Sequence, residues 1–171
     1  MPVICHSSDR SSRIIAPMTL SETPGVLKRF RRVPWRFQET FVTPLKDLGP
    51  FVSTIVSAHG SVQAGCLTID QLVFEPKKLN AALFKYSLHA KVGRDWSLQA
   101  NGSEEVAELL EAALSDWIDF AFVPTPKPFV IYADHDEYVT FYANTKSNLN
   151  TVVGALSMRG YKRVEGYQRE L

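Results

Sequence analysis

Cysteine is nearly absent from this chain: Cys5 and Cys66 are the only two, and they form no Cys-x-x-Cys pair. That argues against a disulfide framework or a thiolate zinc site and fits two unpaired thiols in a reducing, cytoplasmic compartment. Long apolar runs are missing as well. None approaches 18 residues, so no membrane partner is expected, and the N-terminus lacks the charged-then-apolar layout of a secretory signal. Asn101-Gly102-Ser103 has the form of a glycosylation sequon but reads better as a helix cap. The usual catalytic signatures are also lacking: there is no Gly-x-Gly-x-x-Gly, no phosphate-binding Gly-Lys-Ser/Thr loop, no Gly-x-Ser-x-Gly elbow and no His-Glu-x-x-His. Their absence lowers the expectation of an enzyme, and no cofactor or metal is expected.

What is present is an ordinary globular composition. The chain has 171 residues, 45% hydrophobic and 22% charged, which fits one domain. A domain of this size hides roughly 70% of its extended-chain surface, enough to fold without staples.

Two stretches, 84–123 and 129–168, look like one supersecondary unit written twice. In the first, Phe84, Tyr86, Leu88, Ala90 and Val92 alternate with polar residues, Gly93 to Asp95 supply a turn, and Trp96, Leu98 and Ala100 resume the alternation. This period of two predicts a β-hairpin over 84–100. The period then changes to 3.6, with Val106, Leu109, Leu110, Ala113, Leu114 and Trp117 on one helical stripe, capped by Asn101 with Glu104 or by Ser103. A strand over 118–123 closes the unit. In the second stretch, strands at 129–133 and 138–143 precede a helix with the stripe Leu149, Val152, Val153 and Leu156, offset by 43 from the first. Gly160 is placed as its left-handed stop, before a closing strand over 161–168.

Residues 1–25, rich in Ser, Thr and Pro, are expected as a mobile arm. A strand is predicted over 35–42. Thr43-Pro44 marks a short helical turn to Leu48, with a second helix starting at Pro50 that buries Phe51, Ile55 and Val56 and stops at Gly60. Residues 66–74 read as a strand, with 75–78 as a connection to the first hairpin. The expectation is therefore an α+β protein of two layers: a mainly antiparallel sheet with helices packed on one face, built from a duplicated β-β-α-β unit. Residues 26–171 form its single domain, with pseudo-repeats at about 84–124 and 129–168.

Charge is unevenly placed although the net is only +1. Residues 1–40 hold seven Lys/Arg and three Asp/Glu, whereas 101–145 hold one and nine. Glu104, Glu108 and Glu111 fall on the helix ridge opposite the apolar stripe, where like charges at these spacings cost a few tenths of a kcal/mol per pair. A basic partner protein would relieve that repulsion. The leading expectation is thus a non-catalytic binding protein of inhibitor, immunity or regulatory-subunit type, docking through Glu104, Glu105, Glu108, Glu111, Asp116, Asp134, Asp136 and Glu137. An alternative is nucleic-acid binding through Lys28, Arg29, Arg31, Arg32, Trp35 and Arg36, because guanidinium groups bind phosphate and rings stack on bases. A further alternative is an enzyme or ligand carrier with a pocket between the repeats, lined by Trp96, Trp117, Tyr132 and Tyr142. Asp134-His135-Asp136-Glu137 holds metal-ligand residue types but reads as a polar hairpin tip. Exposed outer strands also leave homodimer formation open.

Overall fold

In the computed structural model, which describes residues 17–171, the elements run β1 (Thr19–Glu22), α1 (Val26–Arg32), β2 (Phe37–Val42), α2 (Leu48–Ser57), β3 (Ala64–Gln71), α3 (Lys77–Lys85) and β4 (Trp96–Asn101). They continue with α4 (Ser103–Ser115), β5 (Asp119–Thr125), β6 (Val130–Ala133), β7 (Tyr138–Ala143), α5 (Lys146–Met158) and β8 (Arg163–Val164). The strands form one sheet in the order β1-β4-β3-β5-β6-β7-β2-β8, with every neighbouring pair antiparallel. The protein is an α+β fold. No helix among the described residues is long and apolar enough to cross a membrane.

Successive strand residues point to opposite faces, and the two faces meet different neighbours. On β5, Phe120 and Phe122 join the large core beneath α2, α3, α4 and α5, whereas Ala121 between them joins a second cluster. The second cluster is Leu27, Phe30, Ala121, Val130, Tyr132 and Tyr142, so α1 covers the face opposite the other four helices. Helices on one face only is therefore not what forms. The reason is that the centre of the second face is apolar enough to need a cover, and Leu27 and Phe30 supply it; each fully buried ring or leucine contributes about 1.5–3 kcal/mol.

Large side chains in the main core leave little slack. Gly65 on β3 is buried under the Phe122 ring, which stands closer to the place of a Gly65 Cβ than real Cβ atoms approach anything. Only glycine lets the ring lie there.

The hairpin expected over 84–100 does not form. Phe84 and Lys85 end α3, whose buried Leu79, Ala82 and Leu83 follow helical spacing, and only Trp96–Asn101 enters the sheet. The outer neighbour of β4 is β1, paired from Thr19↔Gln99 to Glu22↔Trp96. Thus part of the stretch expected as a mobile arm is an ordered edge strand, and residues 1–16 lie outside the described residues. The helices α4 and α5 are both 13 residues long and start 43 positions apart, at 103 and 146, but the hairpin before them exists only in the second stretch. A duplicated unit is not shown.

Two further elements differ from the sequence reading. No helical turn forms over 44–47, and α2 starts at Leu48 instead of Pro50, with Pro50 in its first turn, where a missing N–H breaks no helical bond. The closing strand expected over 161–168 pairs only at Arg163 and Val164. The chain then crosses the second face, where Gln38 donates to the Arg169 carbonyl at 3.3 Å and accepts from the Arg169 amide at 2.8 Å.

Candidate binding surfaces

The acidic stretch is largely engaged by the fold itself. Asp116 is buried and accepts from the amides of Lys78 at 3.1 Å and Leu79 at 2.8 Å, capping the first turn of α3 from another element. Asp134, also buried, accepts from the amides of Asp136 at 3.0 Å and Tyr138 at 3.1 Å and pairs with Arg169, so it shapes the β6–β7 turn. Glu105 accepts from the Asn101 amide at 2.9 Å, a return bond at the start of α4, whose cap position is Gly102 and not a polar side chain. Glu108 accepts from Lys85 Nζ at 3.0 Å and from the Tyr86 hydroxyl at 2.7 Å. Burial and that carboxylate push the Tyr86 phenol well above its ordinary range. Glu111 is exposed, and its carboxylate hangs over the first turn of α2, 3.8 Å from where a Cβ on Gly49 would stand. The positive end of that helix favours it. Glu104, Asp136 and Glu137 are exposed as well. The eight carboxylates thus do not form one continuous face.

The basic stretch behaves differently. The left-handed Gly25, at φ 89°, leads into α1, which buries Leu27 and Phe30 and turns Lys28, Arg29 and Arg32 outward. These three and Arg36 are exposed, with no side-chain hydrogen bond or ion pair among the described residues. Arg31 is the exception, since it reaches back to Asp70. Trp35 is half-buried, with its ring 6.0 Å from Phe30 and 6.2 Å from Tyr142, so it packs against the second cluster.

The sheet face under α1 holds a polar network that the sequence reading did not single out. Asp70 on β3 accepts from Arg31 and from the Tyr132 hydroxyl at 2.6 Å, with Arg94 at 3.6 Å on its other oxygen. Burial and the Asp70 hydrogen bond push the Tyr132 phenol well above its ordinary range. Further along, the buried Asp119 accepts from the His135 amide at 2.7 Å and lies 2.8 Å from its Nδ1. That bond raises the His135 pKa above 6.5 against an opposing contribution from desolvation. The signal was the alternation of Cys66, Thr68 and Asp70 with Leu67 and Ile69 in β3, which marks one polar and one apolar face.

An aspartate-held imidazole is one half of a nucleophile-and-base pair, but among the described residues no hydroxyl or thiol is bonded to His135 Nε2, which stands 3.9 Å from Asp136. Cys66 is half-buried, and desolvation pushes its thiol pKa up. No group of three His, Cys, Asp or Glu side chains among the described residues is placed to hold a metal ion. The aromatics expected around a central pocket are divided: Tyr132 and Tyr142 lie in the cluster under α1, whereas Trp96 packs on the main core. Comparison with known proteins finds no matching family model, no matching curated protein and no matching solved structure.

Proposed function

We propose that this chain is a non-catalytic binding protein of the cytoplasm, and that its partner is the phosphate backbone of a nucleic acid, held by the outward face of α1 and by Arg36 in the connection to β2. The observation that carries the reading is the set of four exposed cations, Lys28, Arg29, Arg32 and Arg36, without a carboxylate partner among the described residues. Adjacent unpaired cations repel one another, and a row of phosphates relieves the repulsion while releasing condensed counterions. With Trp35 committed to packing, contact is with the backbone and not the bases, so sequence preference is weak.

The test is fluorescence anisotropy with a labelled DNA duplex. Four neutralised phosphates give a slope of about −3.6 in log K against log salt, and alanine at the four positions abolishes the complex. Absence of any complex at about 50 mM salt refutes this reading.

A second reading, docking of a basic protein as an inhibitor, immunity protein or regulatory subunit does, is favoured by the groove of about 580 Å³ between α3 and α4. Its lining includes small alanines with Glu104 and Glu111, beside Lys78 and the Lys85 that pairs with Glu108, so a helix placing cations toward Glu104 and Glu111 could approach closely. Reversing Glu104 and Glu111 to Lys must weaken such a complex; an unchanged dissociation constant eliminates it. Homodimer formation through β1, whose outer edge has no strand partner among the described residues, is a subsidiary proposal that sedimentation at two concentrations decides.

A further inference from the structure

The alternation that suggested a strand over 84–92 is present in the folded protein, without a partner strand. From Tyr86 to Val92 burial still alternates: Tyr86, Leu88, Ala90 and Val92 are inward to different degrees, and Ser87, His89 and Lys91 are exposed. Residues 88–92 belong to no helix or strand. The Leu88 amide bonds the Leu83 carbonyl, but the backbone groups of His89, Ala90, Lys91 and Val92 find no partner among the described residues. Beside them runs a groove of about 510 Å³, walled by Leu72, Leu83, Phe84, Leu88 and Val92. Phe84, on the wall of that groove, is 70% exposed.

We propose that residues 88–92 are a template onto which an extended, acidic segment of a partner protein adds as a strand, its alternate apolar side chains filling the groove against Leu83 and Phe84. Strand addition supplies hydrogen bonds to backbone groups that now lack them, and side-chain pockets give selectivity. Charge decides the occupant. Lys91 lines the groove with no ion pair among the described residues, while Glu75, its one carboxylate, is already engaged by Lys77 at 3.7 Å. A second copy of this chain adding antiparallel about Lys91 would set that lysine against its own counterpart, and like charges across a strand pair are destabilising. An acidic segment meets no such repulsion. The surface is separate from α1, so the phosphate reading stands or falls independently of it.

The experiment is a display selection of random dodecapeptides on the full chain, followed by anisotropy with the synthesised winners and amide exchange by NMR. The enriched sequences alternate apolar and acidic residues, and the amides of residues 89–92 become protected on binding. Ala90→Pro, which removes an amide that makes no bond in the free protein, and Lys91→Glu each weaken binding at least tenfold with an unchanged melting temperature. N-methylation of alternate peptide amides has the same effect from the ligand's side. No enrichment, equal binding by both variants, unprotected 89–92 amides, or a dimer that is lost in Lys91→Glu overturns the proposal.

Discussion

The helices α1 and α4 carry the chain's two dense charge clusters, and the fold treats them in opposite ways. Around α4, the carboxylates at 105, 108 and 116 accept hydrogen bonds from a backbone amide, from Lys85 and Tyr86, and from the first turn of α3. On α1, the cations at 28, 29 and 32 meet only solvent among the described residues, and only Arg31 is drawn inward. Density of like charge along a sequence is therefore a poor guide to a docking surface. What matters is whether other elements bring counter-charges and free amides to it, and α3 and α2 do so for α4 alone.

The comparison is broken most severely by removing a carboxylate the fold depends on. Asp134→Ala strips two amides of the β6–β7 turn of their acceptor and leaves Arg169 half-buried without its anion; urea unfolding is expected to show a loss of about 3 kcal/mol. Asp116→Ala uncaps α3 and costs about 2 kcal/mol in the same measurement. Glu108→Gln, at a partly exposed pair that keeps a neutral acceptor for Tyr86, costs less than about 1 kcal/mol, and raised salt shrinks the difference.

His135 sharpens the comparison through pH. Its folded pKa is raised by Asp119, so the charged imidazole stabilises the native state fully below the unfolded pKa of about 6.5 and less as pH rises through the higher folded value. His135→Gln is therefore expected to melt below the wild type near pH 5.5 and to converge with it near pH 8, and the NMR titration midpoint of His135 should lie above 6.5. A midpoint below 6.5 contradicts the Asp119 contact.

The sequence reveals the elements whose period is local and complete. Strand β7 runs from Tyr138 to Ala143 as its alternation indicates, α5 buries Leu149, Val152 and Leu156, and Gly160 takes a left-handed φ of 80° after the helix. It misleads at α3, where nine residues with three buried positions are a weaker pattern than the alternation from Phe84 to Val92 that overlaps them. A helical wheel places Glu108 and Glu111 on an outer ridge correctly, but it cannot contain Lys85 or Gly49, which arrive from α3 and α2. The second core escapes for a similar reason. Its members come from α1, β5, β6 and β7, and no single window contains more than a few of them.

The most direct test of the contrast is urea unfolding of the triple variant Lys28→Ala, Arg29→Ala, Arg32→Ala beside Asp116→Ala. Cations that meet only solvent predict a triple variant within about 0.5 kcal/mol of the wild type while Asp116→Ala is clearly weakened. A triple variant destabilised as much as Asp116→Ala would show that the basic helix is held by its charges too, and the distinction between the two regions would be lost.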